Sequence, residues 1–255
     1  MFLEEIKVSV ITPSFNDGLF IKETIQSILN QTHKNIEVII VDDCSTDNTS
    51  AIIKSFQDPR IKVIRNAKNE GAAYSRNLAI TLATGDYIAF LDGDDLWEKE
   101  KLTKQLQFMQ ANDYLFTYTK YSFISDKSNQ IVGGPSKVTH KDFLRRNYVG
   151  CLTVMYKKSL FPDLQIPNDI YKRNDYALWL KLSERADCYL LDELLAKYRK
   201  GKLNSVSSEK KGKLFKFHRI MFQKLYGFGY FKAMMFSLRN ALYYLFRKGK
   251  YIEKK

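Results

Sequence analysis

The sequence predicts an α/β fold: a mainly parallel, mixed sheet flanked by helices, carrying a helical appendage rich in basic and aromatic residues at its C-terminal end. Three observations carry this. Over roughly the first 120 positions, short β-branched runs alternate with stretches of helical spacing, the signature of βαβ crossovers. Several of those runs stop at clusters of polar and acidic residues. The charge is also divided along the chain: residues 197–255 hold 17 Lys/Arg against 2 Asp/Glu, whereas residues 1–196 hold 24 against 26.

The elements follow in order. Val8–Thr12 is a short β-branched strand. Leu19–Gln31 places Ile21, Ile25, Ile28 and Leu29 on one helical face. Ile36–Val41 is a second, buried strand, and Thr49–Phe56 a short helix with Asp47 or Asn48 near its N-cap. Ile61–Ile64 is a third strand. Ala72–Ala83 is a helix that Thr84-Gly85 ends. Tyr87–Leu91 is the fourth strand, followed by a helix over Glu98–Asn112 and a strand over Tyr114–Thr119. Beyond residue 120 the pattern loosens. Gly133-Gly134-Pro135 is a turn, Cys151–Tyr156 a strand, and Asp175–Arg185 a helix with Leu178, Trp179 and Leu182 on one face. Residues 199–213 read as a polar connector. From Leu214 to Arg247 the pattern is helical again, broken at Gly227-Phe228-Gly229.

Composition removes several classes of function. With 45% hydrophobic and 14% aromatic residues in 255, the chain can bury a sizeable core and is not disordered. A near-neutral body with a basic tail is not a uniformly basic nucleic-acid binder, and no nucleic-acid partner is expected. Cys44, Cys151 and Cys188 are odd in number and far apart, so they read as free thiols of a reducing compartment. The histidines, His33, His140 and His218, are too scattered for a zinc site. The acidic N-terminal start does not read as a secretion signal. The longest uncharged stretches of the tail, Leu225–Phe231 and Asn240–Phe246, fall far short of the roughly 20 residues that span a bilayer.

In a parallel α/β sheet, ligands bind outside the carboxyl ends of the strands. Three clusters should meet there: Pro13-Ser14-Phe15-Asn16, Asp42-Asp43-Cys44-Ser45 and Asp92-Gly93-Asp94-Asp95. Neither GxGxxG nor GxxxxGK[ST] is present, so dinucleotide and P-loop cradles are excluded. Three carboxylates within four residues repel one another, and a hard divalent cation among them relieves that repulsion. Mg²⁺ or Mn²⁺ with few protein ligands takes the others from phosphate and water, so the cluster suits a metal–diphosphate site. Alone, it would read equally as an acidic surface turn. A carboxylate at Asp43 suits a nucleobase imide or a ribose hydroxyl, and Phe15 suits a wall beside a base.

The chain resembles the family 2 glycosyltransferases of GT-A fold. The matching stretches are VSVITPSFN, SILNQTHKNIEVIIVDDCSTDNT, NEGAAYSRNLAI, GDYIAFLDGDDLW and RNDYALWLKL, in that order, across about residues 6–200. The resemblance implies a nucleotide-binding half (1–120), an acceptor-binding half (121–200) and a separate tail (201–255). It implies that Asp92 and Asp94 form the DxD pair around Gly93, with Asp94 the direct ligand of Mn²⁺ or Mg²⁺ and Asp92 facing the ribose or the metal's hydration shell. Pro13, Ser14 and Phe15 would lie beside the nucleobase, Asp43 would bond its uracil, and Arg76 would stand near the nucleotide. Asp175 would be the catalytic base. Asn174 and Trp179 would belong to the acceptor side, Trp179 packing below it. The implied reaction is inverting transfer of a sugar from a UDP-sugar to a saccharide acceptor, lipid-linked on a polyprenyl carrier, in surface polysaccharide biosynthesis. On its own, Asp175 also fits a helix N-cap.

Two departures stand out. Asn174 replaces a glutamate found in many members, removing a charge beside Asp175. The segment Tyr198-Arg199-Lys200-Gly201-Lys202 lacks a histidine that many members carry, so Arg199, Lys200 or Lys202 are candidates to offset diphosphate charge. The lysines also fit a simply solvated surface. The tail fits either an interfacial helix pair on an anionic membrane or a helix pair packed on the body. The first places the protein peripherally on the cytoplasmic face of the cell membrane. Two other activities fit less well: a non-catalytic nucleotide-sugar-binding or membrane scaffold protein, and a nucleotidyltransferase, whose basic Gly-rich loop is missing after the first strand.

Overall fold

The computed structural model of the chain describes residues 3–124, 130–200, 211–246 and 251–254. The first half alternates: β1 (Val8–Ser14), α1 (Ile21–Leu29), β2 (Ile36–Asp42), α2 (Thr49–Lys54), β3 (Ile61–Arg65), α3 (Ala72–Leu82) and β4 (Tyr87–Phe90). Then come β5 (Leu96–Trp97), α4 (Lys101–Asn112), β6 (Phe116–Ile124), β7 (Gln130–Val132), β8 (Lys137–Val138) and α5 (His140–Phe143). The chain continues through β9 (Met155–Lys157), α6 (Asn174–Ser183), β10 (Cys188–Arg199), α7 (Lys211–Tyr226), α8 (Tyr230–Phe246) and β11 (Ile252–Lys254).

Every residue of β1, β2 and β4 is buried, so apolar residues predominate on both faces of these strands, and the polar exceptions Ser9 and Glu37 bond each other. The strand order is β11-β7-β6-β9-β4-β1-β2-β3. β1 pairs in parallel with both β2 and β4, so the chain reverses its direction of winding at β1. In this register Ser14 faces Asp42, and Ile11 faces Phe90 two residues before Asp92. The three polar clusters therefore lie along one edge of the sheet, at its topological switch point.

Glu37 locks this half together. Its buried carboxylate accepts from Ser9 Oγ at 2.6 Å, from the Thr84 backbone N–H at 2.6 Å and from Lys62 Nζ at 2.7 Å. Burial alone would raise this carboxyl, but the Lys62, Ser9 and Thr84 hydrogen bonds together outweigh it and draw it from 4.5 down to about 2. A depressed carboxyl stabilises the fold fully above its unfolded value, and that contribution fades as pH falls through 4.5 toward 2. Glu37→Gln is expected to cost about 3 kcal/mol at pH 7. Urea unfolding should show the gap from wild type closing as the pH is lowered toward 2.

The second half departs from the sequence reading. Cys151–Thr153 forms a 3-10 turn, and only Met155–Lys157 pairs as a strand, antiparallel to both β4 and β6. The turn frees the Leu152 carbonyl to accept from Trp97 Nε1 at 2.6 Å. The long strand β10 has no counterpart in the expected elements. Its leucines recur with a helix-like spacing because pairing with β6 slips between Leu191 and Leu194 and again before Ala196.

Among the described residues, the C-terminal helices pack on the body. Met221, Phe222 and Leu225 of α7 and Ala233 of α8 join the core formed by Phe90, Tyr176 and Trp179. Asn240 Nδ2 donates to Tyr176 Oη at 2.9 Å, and Lys224 pairs with Asp169 at 2.5 Å. β11 adds itself antiparallel to β7. Most of the expected polar connector, including Lys202, lies outside the described residues.

Candidate active site

The site is assembled at the carboxyl ends of β1, β2 and β4. After β4 the chain enters Asp92-Gly93-Asp94-Asp95, whose tight packing dictates its residues. A Cβ on Gly93 would stand 2.5 Å from Asp17 Oδ2 and 2.9 Å from Ser14 Oγ, so no side chain fits there. The Gly93 and Asp95 carbonyls accept from Thr24 Oγ1 at 3.1 and 2.9 Å. Asp17 in turn accepts from Ser14 Oγ at 2.8 Å and from the Phe15 N–H at 3.0 Å. The loop after β1 thus braces the loop after β4.

Asp92 and Asp94 are half-buried, and Asp95 is buried. Burial, then the charges of Asp94 and Asp92, push the Asp95 carboxyl well above the ordinary range. The Arg199 backbone N–H donates to Asp95 Oδ1 at 2.9 Å, and Arg199 Nε donates to the Asp94 carbonyl at 2.9 Å. Arg199 also pairs with Glu23 at 2.8 Å and lies over the Phe20 ring. It is therefore committed to holding the acidic loop. Lys200 Nζ lies 3.3 Å from the centre of the Phe123 ring.

Arg76, from α3, is the centre of the arrangement. One arm donates to Asp92 Oδ1 and the other to Asn174 Oδ1, at the start of α6. Burial opposes its charge, but Asp92 chiefly, with Cys151 and Asp175, outweighs that and raises its pKa above the ordinary value. Asp175 occupies the first turn of α6, where backbone N–H groups and the helix dipole favour a carboxylate. The N-cap is Arg173, in left-handed conformation, and not Asp175. Cys151 is buried between the two sides: its Sγ lies 4.0 Å from Asp92 Oδ1, and burial first, then Asp92 and Asp175 against Arg76, keeps it a thiol.

Asp43 is buried, and both its oxygens are engaged. Oδ1 accepts from Asn66 Nδ2 at 2.7 Å and from the Glu70 N–H at 2.9 Å, and Oδ2 from the Gly71 N–H at 2.8 Å. It fixes the 66–71 loop beside the site. Phe15 is 41% exposed at the same edge. Pro13 and Ser14 end β1 beneath it. Trp179 has no exposed surface; it packs edge-on to Phe90 at 5.3 Å and supports the site from below.

Sequence reasoning did not single out Asp17, Asn66, Cys151 or Tyr171. Asn66 was within reach, since it directly follows β3 and its N–H donates to the Asp42 carbonyl at 2.9 Å. Tyr171 had no local signal. It is 68% exposed, and a Cβ on Gly71 would meet its ring at 3.7 Å. Only the tertiary fold brings it to the lip between the 66–71 loop and α6.

An all-oxygen donor set that crowds charge onto Asp95 fits a hard divalent cation whose remaining ligands come from phosphate and water. Among the described residues no three His, Cys, Asp or Glu side chains converge as a closed metal cage.

Comparison with known proteins identifies the family and the fold. The profile described as Glycosyl transferase family 2 matches residues 9–161. The chain is 43% identical over 209 residues to "Putative teichuronic acid biosynthesis glycosyltransferase TuaG" of Bacillus subtilis, covering 80% of this chain and 82% of that protein. It is 37% identical over 213 residues to the Escherichia coli UDP-Glc:alpha-D-GlcNAc-diphosphoundecaprenol beta-1,3-glucosyltransferase WfgD, covering 82% of each. The crystal structure of S. aureus TarS 1-349 in complex with UDP superposes with a TM-score of 0.71 at 22% identity, over 96% of this chain and 74% of that one. The chain belongs to glycosyl transferase family 2, and its architecture is the GT-A fold.

Proposed function

We propose that this glycosyltransferase transfers a hexose-type sugar, with inversion, from a UDP-sugar to a lipid-linked saccharide during assembly of a bacterial surface polysaccharide. One observation carries the reading: Arg76 joins Asp92 of the acidic loop to the N-terminus of the helix bearing Asp175. The Asp92 carboxylate and the Asn174 amide oxygen thereby share one buried cation, which the charge of Asp175 also reaches. The name of WfgD, a UDP-glucose enzyme acting on a diphosphoundecaprenol-linked sugar, supports the choice of donor and acceptor.

In this reading Asp175 removes the proton from the acceptor hydroxyl as its oxygen attacks the anomeric carbon. The bond to the diphosphate breaks on the opposite face, and its electron pair leaves with UDP. An α-linked donor gives a β-linked product in one displacement, with no second nucleophilic carboxylate. Asp94 and Asp92 would hold Mg²⁺ or Mn²⁺, which supplies positive charge against the departing diphosphate. Asp43, through the 66–71 loop, and Pro13, Ser14 and Phe15 shape the uridine side. Arg199 holds the acidic loop in place, and Lys200, with Lys202 by its place in the sequence alone, would offset charge on the diphosphate.

The test is UDP release across a panel of UDP-sugars with a lipid-linked saccharide acceptor, with and without EDTA. EDTA-sensitive release of UDP with one donor is expected. Metal-dependent UDP binding without turnover on any donor and acceptor would instead favour a binding or scaffold role.

A further inference from the structure

α8 packs one face on the body and leaves an apolar face turned outward. Ala233, Ser237 and Asn240 are buried against the body. Phe231, Met235, Leu238 and Leu242 recur at helical spacing on the opposite side and are exposed, Phe231 by 78% and Met235 by 59%. Tyr230 and Met234 extend the same surface. Scattered exposed apolar side chains are ordinary, but a continuous stripe of them on one helix marks a contact surface.

The surroundings of the stripe identify what covers it. From Lys210 to Ile252 the sequence contains 11 Lys/Arg and no Asp or Glu. Lys232 lies over the Phe228 ring at 4.1 Å, and Arg219 lies over the Tyr230 ring at 4.5 Å. Arg219 lies over an exposed ring at the start of α8, and apolar side chains in so basic a segment suit the boundary of a bilayer, where the apolar groups enter and the charges stay at the anionic headgroups. A second copy of the chain, placed face to face, would bring two such basic segments together, and neither segment has a carboxylate of its own to meet the other. No helix among the described residues is long and apolar enough to cross a membrane.

We infer that the outward face of α8 is the membrane-docking surface of this enzyme, seating Phe231, Met235, Leu238 and Leu242 in an anionic phospholipid monolayer. The inference rests on the lipid-linked-acceptor reading and deepens it. Asn240, on the buried face of the same helix, bonds Tyr176 of α6. The helix that rests on the lipid is thus bonded directly to the helix that carries Asp175, so docking sets the position of the candidate base relative to the membrane surface.

The experiment is flotation of the full chain with phosphatidylglycerol-containing vesicles and with pure phosphatidylcholine vesicles. Wild type should float with the anionic vesicles and much less with the neutral ones. The double variant Phe231→Glu/Leu238→Glu should lose at least about tenfold in partitioning. Its thermal unfolding, and its transfer of sugar to a soluble saccharide acceptor with release of UDP, should stay unchanged. A Leu238→Trp variant gives a second readout. The chain's two tryptophans, Trp97 and Trp179, are buried, so a blue shift on adding anionic vesicles reports the new side chain. Equal binding to both vesicle types, undiminished flotation of the double variant, or no blue shift in the Leu238→Trp variant would overturn the inference. So would a dimer that the double variant abolishes while vesicle binding is absent. Vesicle binding needs no sugar nucleotide, so loss of docking and loss of transfer are separate results.

Discussion

Asp175→Asn is expected to lower the rate of sugar transfer by about 10²–10⁴-fold while leaving UDP-sugar affinity within a few-fold of wild type. The size follows from what is removed. Asparagine keeps the shape of the side chain and its place in the first turn of α6, but it cannot take a proton from the acceptor hydroxyl. In the proposed reading donor affinity is retained because the uridine side would be built on β1, β2 and the 66–71 loop, which Asp43 holds and α6 does not. Single-turnover UDP release and equilibrium binding of the UDP-sugar separate the two effects. Full activity in the variant would remove Asp175 from the chemistry.

Arg76→Met is expected to cost about 3 kcal/mol of stability. The change leaves Asp92 without its cation and the buried Asn174 Oδ1 without a donor. The figure sits at the low end for a buried pair because the Asp92 side chain keeps 33% of its surface exposed, whereas that of Arg76 keeps 6%. Arg76→Lys should recover only part of the loss, since an ammonium on a flexible stem does not reproduce the planar fork that reaches two acceptors at once. Urea unfolding of Arg76→Met, Asp92→Asn and the double variant forms a cycle. Non-additivity of about 1–2 kcal/mol is expected, and additive effects would show that the two side chains are not coupled. Transfer activity should fall together with the coupling, because the same guanidinium positions the start of α6.

Much of the first half was legible in the sequence for a simple reason. Strands buried on both faces are mostly apolar, so each polar cluster that ends one is conspicuous. Asp42-Asp43 and Asp92-Gly93-Asp94-Asp95 stand out for that reason, and the parallel register lines them up. The second half lacks this contrast. β10 pairs with β6 through two slips, which scrambles the alternation by which a strand is recognised. β7 and β8 are too short to carry a period. At the site, residue types were readable but allegiances were not. The sequence shows a carboxylate at Asp43 but not that Asn66, Glu70 and Gly71 occupy both of its oxygens. Likewise, Arg199 looks available to phosphate until its hydrogen bonds to the acidic loop are seen. The tail's charge was plain, but its division into a face toward the body and a face away from it depends on how α8 is docked.

The way α7 and α8 close the main core has a consequence for how the protein is made. The strands of the first half leave the ribosome early, yet the apolar surface around Phe90, Tyr176 and Trp179 is completed only by Met221, Phe222, Leu225 and Ala233. Because a domain folds as a unit, the nascent chain carries that surface uncovered until these two helices have been synthesised. Contacts between segments so distant in sequence also form slowly. Chain termination ahead of α7 would leave that surface permanently open, so truncated translation products of this enzyme are natural clients for chaperones and proteases.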